Sequence, residues 1–260
     1  MILFFKQLYR DALLIINIIF NNNYFFVKTK SQSQNHENIF VEKISRHIKN
    51  KFFLEIGFHY SEFNFISLIK NGFNGILVDA DSNKNIYFTK LIIFLIKKKI
   101  TVLKKFITLN NIIDIFSQKN LGALSIDIDG NDFWVLKKIL DNKIYPEAIV
   151  IEYNSSFLKK SIAIEYKENF NRFLYHSSGF YHSASLSAFC KILKEKNYYL
   201  VKVINSLYAC FVNSEILHAA QLEEILPRNV NDHNLVRAKI SNLDPTQQFE
   251  KIKHLTFIEI

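Results

Sequence analysis

Asp127 and Asp129 stand two residues apart at the end of an apolar run, within LSIDIDGNDFWVLKKIL (124–140). Residues at that spacing share a side of an extended chain. Two like charges held so close repel, share a proton or share a cation. Carboxylates at the carboxyl end of a parallel strand also lie where open α/β sheets bind their ligands. A plainer reading leaves Asn131 or Asp132 merely capping the helix that follows. The run VIEYN places Glu152 and Asn154 beside Asp127 if the two strands are neighbours. Oxygen donors from Asp127, Asp129 and Glu152 suit a hard divalent ion such as Mg2+ or another divalent cation. His182, in YHSAS just before a helical stretch, follows an irregular segment expected over the site. That makes it the best-placed histidine for proton transfer, with a structural role as the alternative.

A second group of residues points to a nucleotide-like ligand. FLEIGFHYSEF puts Glu55 at a strand end and Gly57 in the turn before a helix. A glycine there lets backbone approach a ligand, and a helix amino end favours its anionic or polar groups. The next strand ends in LVDAD, so Asp79 and Asp81 are placed to accept hydrogen bonds from a ribose diol. A surface carboxylate beside a sheet edge is the competing reading. Taken together, Glu55, Gly57 and Asp79 favour an adenosine-containing ligand.

These groups need a scaffold, and the hydrophobic pattern supplies one. Strand-like segments at 52–56, 75–79, 100–103, 123–126 and 148–151 alternate with helix-like segments at 62–70, 83–97, 112–117 and 133–141. Such alternation predicts an α/β fold with a doubly wound, Rossmann-like, mostly parallel sheet. The near-continuous apolar strands fit burial on both faces. After an irregular stretch from 154 to 183, a helix is expected at 185–196, then strands at 198–204 and 208–212 joined through Asn205-Ser206. Two strands so closely linked form a hairpin. Residues 1–27 read as an amphipathic N-terminal helix, 28–38 as a polar linker, 39–220 as the main domain and 221–260 as a polar tail with a helix near 247–254.

Composition narrows the class. With 49% hydrophobic and 15% aromatic residues, and only 6 Gly and 3 Pro, the chain builds a sizeable core from long regular elements. Its net charge of +9 comes from scattered lysines without the aromatic interleaving of a nucleic-acid module, so nucleic acid is not an expected partner. Cys190 and Cys210 form neither a disulfide framework nor a zinc spacing, which fits a reducing, cytoplasmic setting. Residues 2–20 are too interrupted to span a bilayer, with Lys6, Gln7, Arg10, Asp11 and Asn17 along one helical stripe. Such a helix docks on the protein's own core or lies on a membrane surface. Trp134 reads as helix packing. Oligomeric state is not legible.

The runs SIDIDGNDFWVLKKI, VIEYNSSF, YHSASLSAF and YYLVKVINSLYACFVN, in that order, resemble FkbM-like class I S-adenosylmethionine-dependent methyltransferases. The nearest branch is the one linked to surface polysaccharide and glycan biosynthesis, and the resemblance covers about Phe52 to Val212. It implies the class I methyltransferase fold, S-adenosylmethionine as cofactor, and O-methylation of a sugar hydroxyl on a carbohydrate or other small-molecule acceptor. It further implies that Glu55, Gly57 and Asp79 hold the cofactor while Asp127, Asp129 and Glu152 face the acceptor. At His59 and Ser61 the chain departs from the small residues usual in that family's loop. IDIDGN also resembles the opening of haloacid-dehalogenase-type phosphatases, but the later acidic pair they require is missing. A metal-dependent glycosyltransferase using the aspartate pair, and an inactive binding or scaffold member, remain open.

Overall fold

The computed structural model describes residues 2–21, 37–61, 63–80, 82–115 and 120–260. Strands β1 (Phe52–Ile56), β2 (Asn74–Asp79), β3 (Ile100–Lys104), β4 (Ala123–Ile126) and β5 (Ala148–Glu152) lie within two residues of their predicted bounds. Two later strands, β7 (Tyr198–Ile204) and β8 (Tyr208–Asn213), complete one seven-stranded sheet in the order β3-β2-β1-β4-β5-β8-β7. All neighbours from β3 to β5 pair parallel, while β8 runs antiparallel to both β5 and β7. This is the doubly wound, mostly parallel α/β sheet closed by a hairpin that the sequence pattern predicts. Asn205 and Ser206 both have positive φ and Leu207 N–H bonds back to Ile204 O, the twist a tight hairpin needs.

Helices α1 (Ile2–Phe20), α2 (Glu37–Ser45), α3 (Ile66–Lys70), α4 (Asn83–Leu95) and α5 (Asp132–Asp141) accompany the first half. The second half carries α6 (Arg172–Tyr175), α7 (Leu186–Lys194), α8 (Ser214–Ala219), α9 (Leu235–Ser241) and α10 (Pro245–Ile252). Helix α3 begins four residues later than the predicted start at Glu62, because the preceding loop is tied down by Glu55. The stretch predicted as a helix at 112–117 contains only a short 3-10 turn, Ile113–Ile115, among the described residues. Most of the predicted linker lies outside them, and its last residues open α2.

Apolar residues gather on both faces of the sheet, with Phe53, Phe65 and Ile69 on one side and Leu54, Phe133 and Phe211 on the other. β4 and β5 are buried along their whole length, as their unbroken apolar runs require. A third cluster lies under a small sheet that the sequence pattern did not reveal, in which β6 (Ile162–Ile164) pairs antiparallel with β9 (Phe257–Glu259). Residues 221–260 are therefore stitched to the main fold rather than appended to it.

In helix α1 one member of the expected polar stripe turns inward. Asp11 is 2% exposed, accepts a 2.5 Å hydrogen bond from Tyr60 and pairs with Lys84. Leu14 and Ile18 dock on the core while Tyr9, Ile16, Ile19 and Phe20 stay exposed. A buried carboxylate that finds both a hydroxyl and an ammonium is tolerated inside, whereas Lys6 and Arg10 of the same stripe are exposed. No helix among the described residues is long and apolar enough to cross a membrane.

Candidate active site

At the carboxyl ends of β1, β2 and β4 the sheet opens into a cleft of about 180 Å³, lined among others by Gly57, Asp79, Phe106, Asp127, Asp129 and Asn131. Gly57 is essential to its floor. Its φ is +81°, and a Cβ there would stand 1.6 Å from the carbonyl oxygen of Asp127. The turn after β1 thus crosses the end of β4 at a distance only glycine allows.

The other residues of that turn build the loop. Glu55 is 1% exposed, and its carboxylate accepts the backbone N–H groups of Asn64 and Phe65 at 2.7 and 3.1 Å. It is not among the cleft-lining residues, and its carboxylate holds the loop before α3. Phe58, Tyr60, Phe63 and Phe65 are buried from the same loop. His59 and Ser61, where the chain departs from small residues, stay outside that packing and bond to each other through Nδ1 and Oγ at 2.8 Å, while their buried neighbours help to dock α1. Asp79 does line the cleft and accepts the Phe58 N–H at 3.1 Å. Asp81 lies outside the described residues.

On the opposite wall, the loop 127–131 is shaped by Asp132. This fully buried carboxylate accepts the N–H groups of Ile128 and Gly130 at 2.9 and 3.0 Å. Burial pushes it up to about 6. Asn131 occupies the capping position of α5 without capping it. Its amide donates to Lys167 O at 2.8 Å, and its buried Oδ1 has no hydrogen-bond partner. Gly130 packs under Phe170, whose ring lies 2.5 Å from where a Cβ would stand.

The structure brings Asp127, Asp129, Glu152 and His182 together. One ligand atom each from Asp129, Glu152 and His182 lie within 4.8 Å of one another, as do atoms of Asp127, Asp132 and Glu152. Asp127 accepts a hydrogen bond from the Tyr208 hydroxyl. Burial, then the Asp129 charge, push Asp127 up to about 7, with the Tyr208 bond opposing. Asp129 adopts a positive φ of 55° and pairs with Arg172. Glu152, 5% exposed, receives Arg237 Nη2 on Oε1 at 3.1 Å, while Oε2 has no hydrogen-bond partner. Burial and then Asp127 raise Glu152 well above the usual carboxylate range.

Arg237 donates a second bond to Asn154 Oδ1 at 2.9 Å and is itself held somewhat down by burial. A guanidinium keeps its proton inside proteins, so the excess of negative charge is felt by the carboxylates. His182 is fully buried, with Nδ1 3.8 Å from Glu152 Oε2 and neither ring nitrogen hydrogen-bonded. Burial first, then Arg237, hold it well below its ordinary value, so it is neutral. Asn154 is buried too, its amide donating to the carbonyls of Phe180 and His182, which makes the Asn154-Ser155-Ser156 triplet structural.

Sequence reasoning missed Tyr208, Arg172 and Arg237. Tyr208 sits opposite Glu152 in the antiparallel β5–β8 pairing, so the hairpin's register would have found it. Arg237 lies in the polar tail, where nothing in its neighbours marks it.

No known protein family matches the sequence, and no curated protein does. Among solved structures, the chain overlaps one from Klebsiella pneumoniae described as a candidate O-methyltransferase, with TM-score 0.49 and 13% identity over 77% of this chain and 90% of that one. It overlaps an O-methyltransferase from Bacillus cereus in complex with S-adenosylhomocysteine at TM-score 0.48 and 14% identity, over 77% and 91%. An S-adenosylmethionine-dependent methyltransferase from Clostridium acetobutylicum gives TM-score 0.44 and 10% identity, over 74% and 98%. With likenesses this remote, the sheet's own strand order and the site's own side chains carry the functional reading.

Proposed function

We propose that the chain is an S-adenosylmethionine-dependent methyltransferase acting on a hydroxyl oxygen, with a sugar of a glycan or polysaccharide precursor as acceptor. The observation that carries this reading is one cleft with two chemically different walls: Gly57 and Asp79 at the ends of β1 and β2, Asp127 and Asp129 at the end of β4. Ligands of doubly wound sheets bind at such strand ends.

The cofactor supplies a methyl group on a positive sulfonium. Asp79 lines the cleft, and a carboxylate there suits the hydroxyls of a ribose diol. Phe106 and Ile107 offer an apolar flank for adenine. The cleft is smaller than the roughly 300–1,000 Å³ usual for ligand sites, so Phe170 would shift to admit both reactants. Asp127, with its carboxyl near neutrality, is matched to take the acceptor's proton, and Tyr208 fixes its direction. A divalent cation, when bound by Asp127, Asp129 and Glu152, would lower the acceptor hydroxyl's pKa. Glu152 is common to two groups that could hold an ion, with Asp127 and Asp132 in one and Asp129 and His182 in the other, and its Oε2 is buried without a hydrogen-bond partner.

Calorimetric titration of the purified chain with S-adenosylhomocysteine, and separately with a uridine sugar nucleotide, tests the proposal. Heat on the first alone is expected. Heat on the second alone would make the chain a glycosyltransferase, and heat on neither would leave it a binding or scaffold protein.

A further inference from the structure

His182 and Glu152 do not line the cleft; they lie behind it, under the strand ends. An imidazole with 0% exposure and no hydrogen bond on either nitrogen is costly to bury unless something else engages it. Glu152 Oε2, 3.8 Å away, is in the same position. Asp129 completes the group, with one atom from each residue inside a 4.8 Å span. Ligand atoms placed about 2.1 Å from a common ion lie at most about 4.2 Å apart, so modest inward movement closes the set.

The surroundings fit a cation. Four carboxylates (Asp127, Asp129, Asp132 and Glu152) face two guanidinium groups, Arg172 and Arg237, which leaves about two negative charges when all are ionised. Each arginine also holds one oxygen of a proposed ligand, Arg172 on Asp129 and Arg237 on Glu152 Oε1. Outer hydrogen bonds of this kind orient ligating carboxylates in metal sites.

We propose that Asp129, Glu152 and His182 form a three-residue site for a first-row transition metal ion such as Mn2+, with His182 supplying a nitrogen ligand. The imidazole decides the class: Mg2+ takes oxygen ligands, whereas first-row transition ions accept imidazole beside carboxylates. Three protein ligands leave further positions open, as in catalytic centres. Asp129, which also lines the cleft, would join the ion's site to it. This inference rests on the methyltransferase reading only for what the ion does, not for its binding.

The test uses the full chain, stripped with EDTA and titrated with Mn2+ while the free-ion electron paramagnetic resonance signal is followed. One tightly bound Mn2+ per chain is expected, with nitrogen coupling in the pulsed spectrum. His182→Gln should abolish the coupling, and Asp129→Asn, at an exposed position that spares the core, should weaken binding at least about tenfold. Mg2+ should displace the ion only in large excess. Absence of binding, binding without nitrogen coupling, or affinity unchanged in Asp129→Asn would overturn the proposal. A parallel S-adenosylhomocysteine titration keeps the two ideas apart. Mn2+ binding without cofactor binding supports the site and defeats the methyltransferase reading, whereas cofactor binding without Mn2+ defeats the site alone.

Discussion

The two walls of the cleft are built from similar residue types and used in opposite ways. On the β1–β2 side, the carboxylate of Glu55 is consumed by backbone N–H groups, and Asp79 also takes one. On the β4–β5 side, Glu152 Oε2, Asn131 Oδ1 and both nitrogens of His182 are buried without hydrogen bonds. Buried polar groups are normally satisfied, so Glu55 on the first side serves the architecture, whereas the second side, on and behind its wall, holds donors and acceptors in reserve for something that binds. An acidic strand end thus has no fixed meaning. Its role depends on whether a neighbouring loop has already claimed its oxygens.

The sharpest break in that contrast comes at the point where the walls touch. Gly57→Ala combines a positive φ with a collision against the Asp127 carbonyl. It should cost more than about 3 kcal/mol, or prevent folding, in a urea denaturation series. Next in size is Arg237→Met, which strands Glu152 in the interior. A loss of about 3–5 kcal/mol is expected at alkaline pH. The loss shrinks on acidification, because Glu152 can then take up a proton; a pH-independent loss would show that the arginine acts only by packing.

Glu55→Gln separates the walls more finely. Removing a charged acceptor of two N–H bonds should lower stability by about 1.5–3 kcal/mol. S-adenosylhomocysteine affinity should fall less than in Asp79→Asn, whose carboxylate faces the cleft. The reverse order would show that Glu55 reaches the ligand after all.

A pH-dependent effect concerns Asp127, read as the difference in melting temperature between the EDTA-treated parent and Asp127→Asn. Its folded pKa, about 7, is above the unfolded value near 3.9. The neutral acid's contribution is therefore complete below about pH 4 and lost as pH rises through 7. The parent should lose ground to the variant across that window. A flat difference would mean that solvent reaches the carboxylate freely.

Much of this arrangement was legible before any coordinates. Strand ends at Asp79, Asp127 and Glu152 could be placed because parallel strands buried on both faces give unbroken apolar runs that stop where the chain turns polar. The hairpin followed from two strands and a short link. The purpose of Glu55 was not legible, since a carboxylate that ties a loop and one that grips a ligand look alike in sequence. Asp11 misled for a related reason: its partners, Tyr60 and Lys84, lie far along the chain. Arg237 was out of reach because its helix is short and the contact that recruits it spans 85 residues.

The pairing of β6 with β9 has a practical consequence. Between Gln221 and Asn234 the chain is mostly without regular structure, yet beyond it the Ser156–Gln248 bond, the Arg237 contacts and the three residue pairs of β6 with β9 bind the last segment to the rest. A single protease nick there should leave two pieces that travel together on a sizing column and part only in denaturant. The protein could then be reassembled from separately made fragments, one of them bearing a chosen probe beside Glu152.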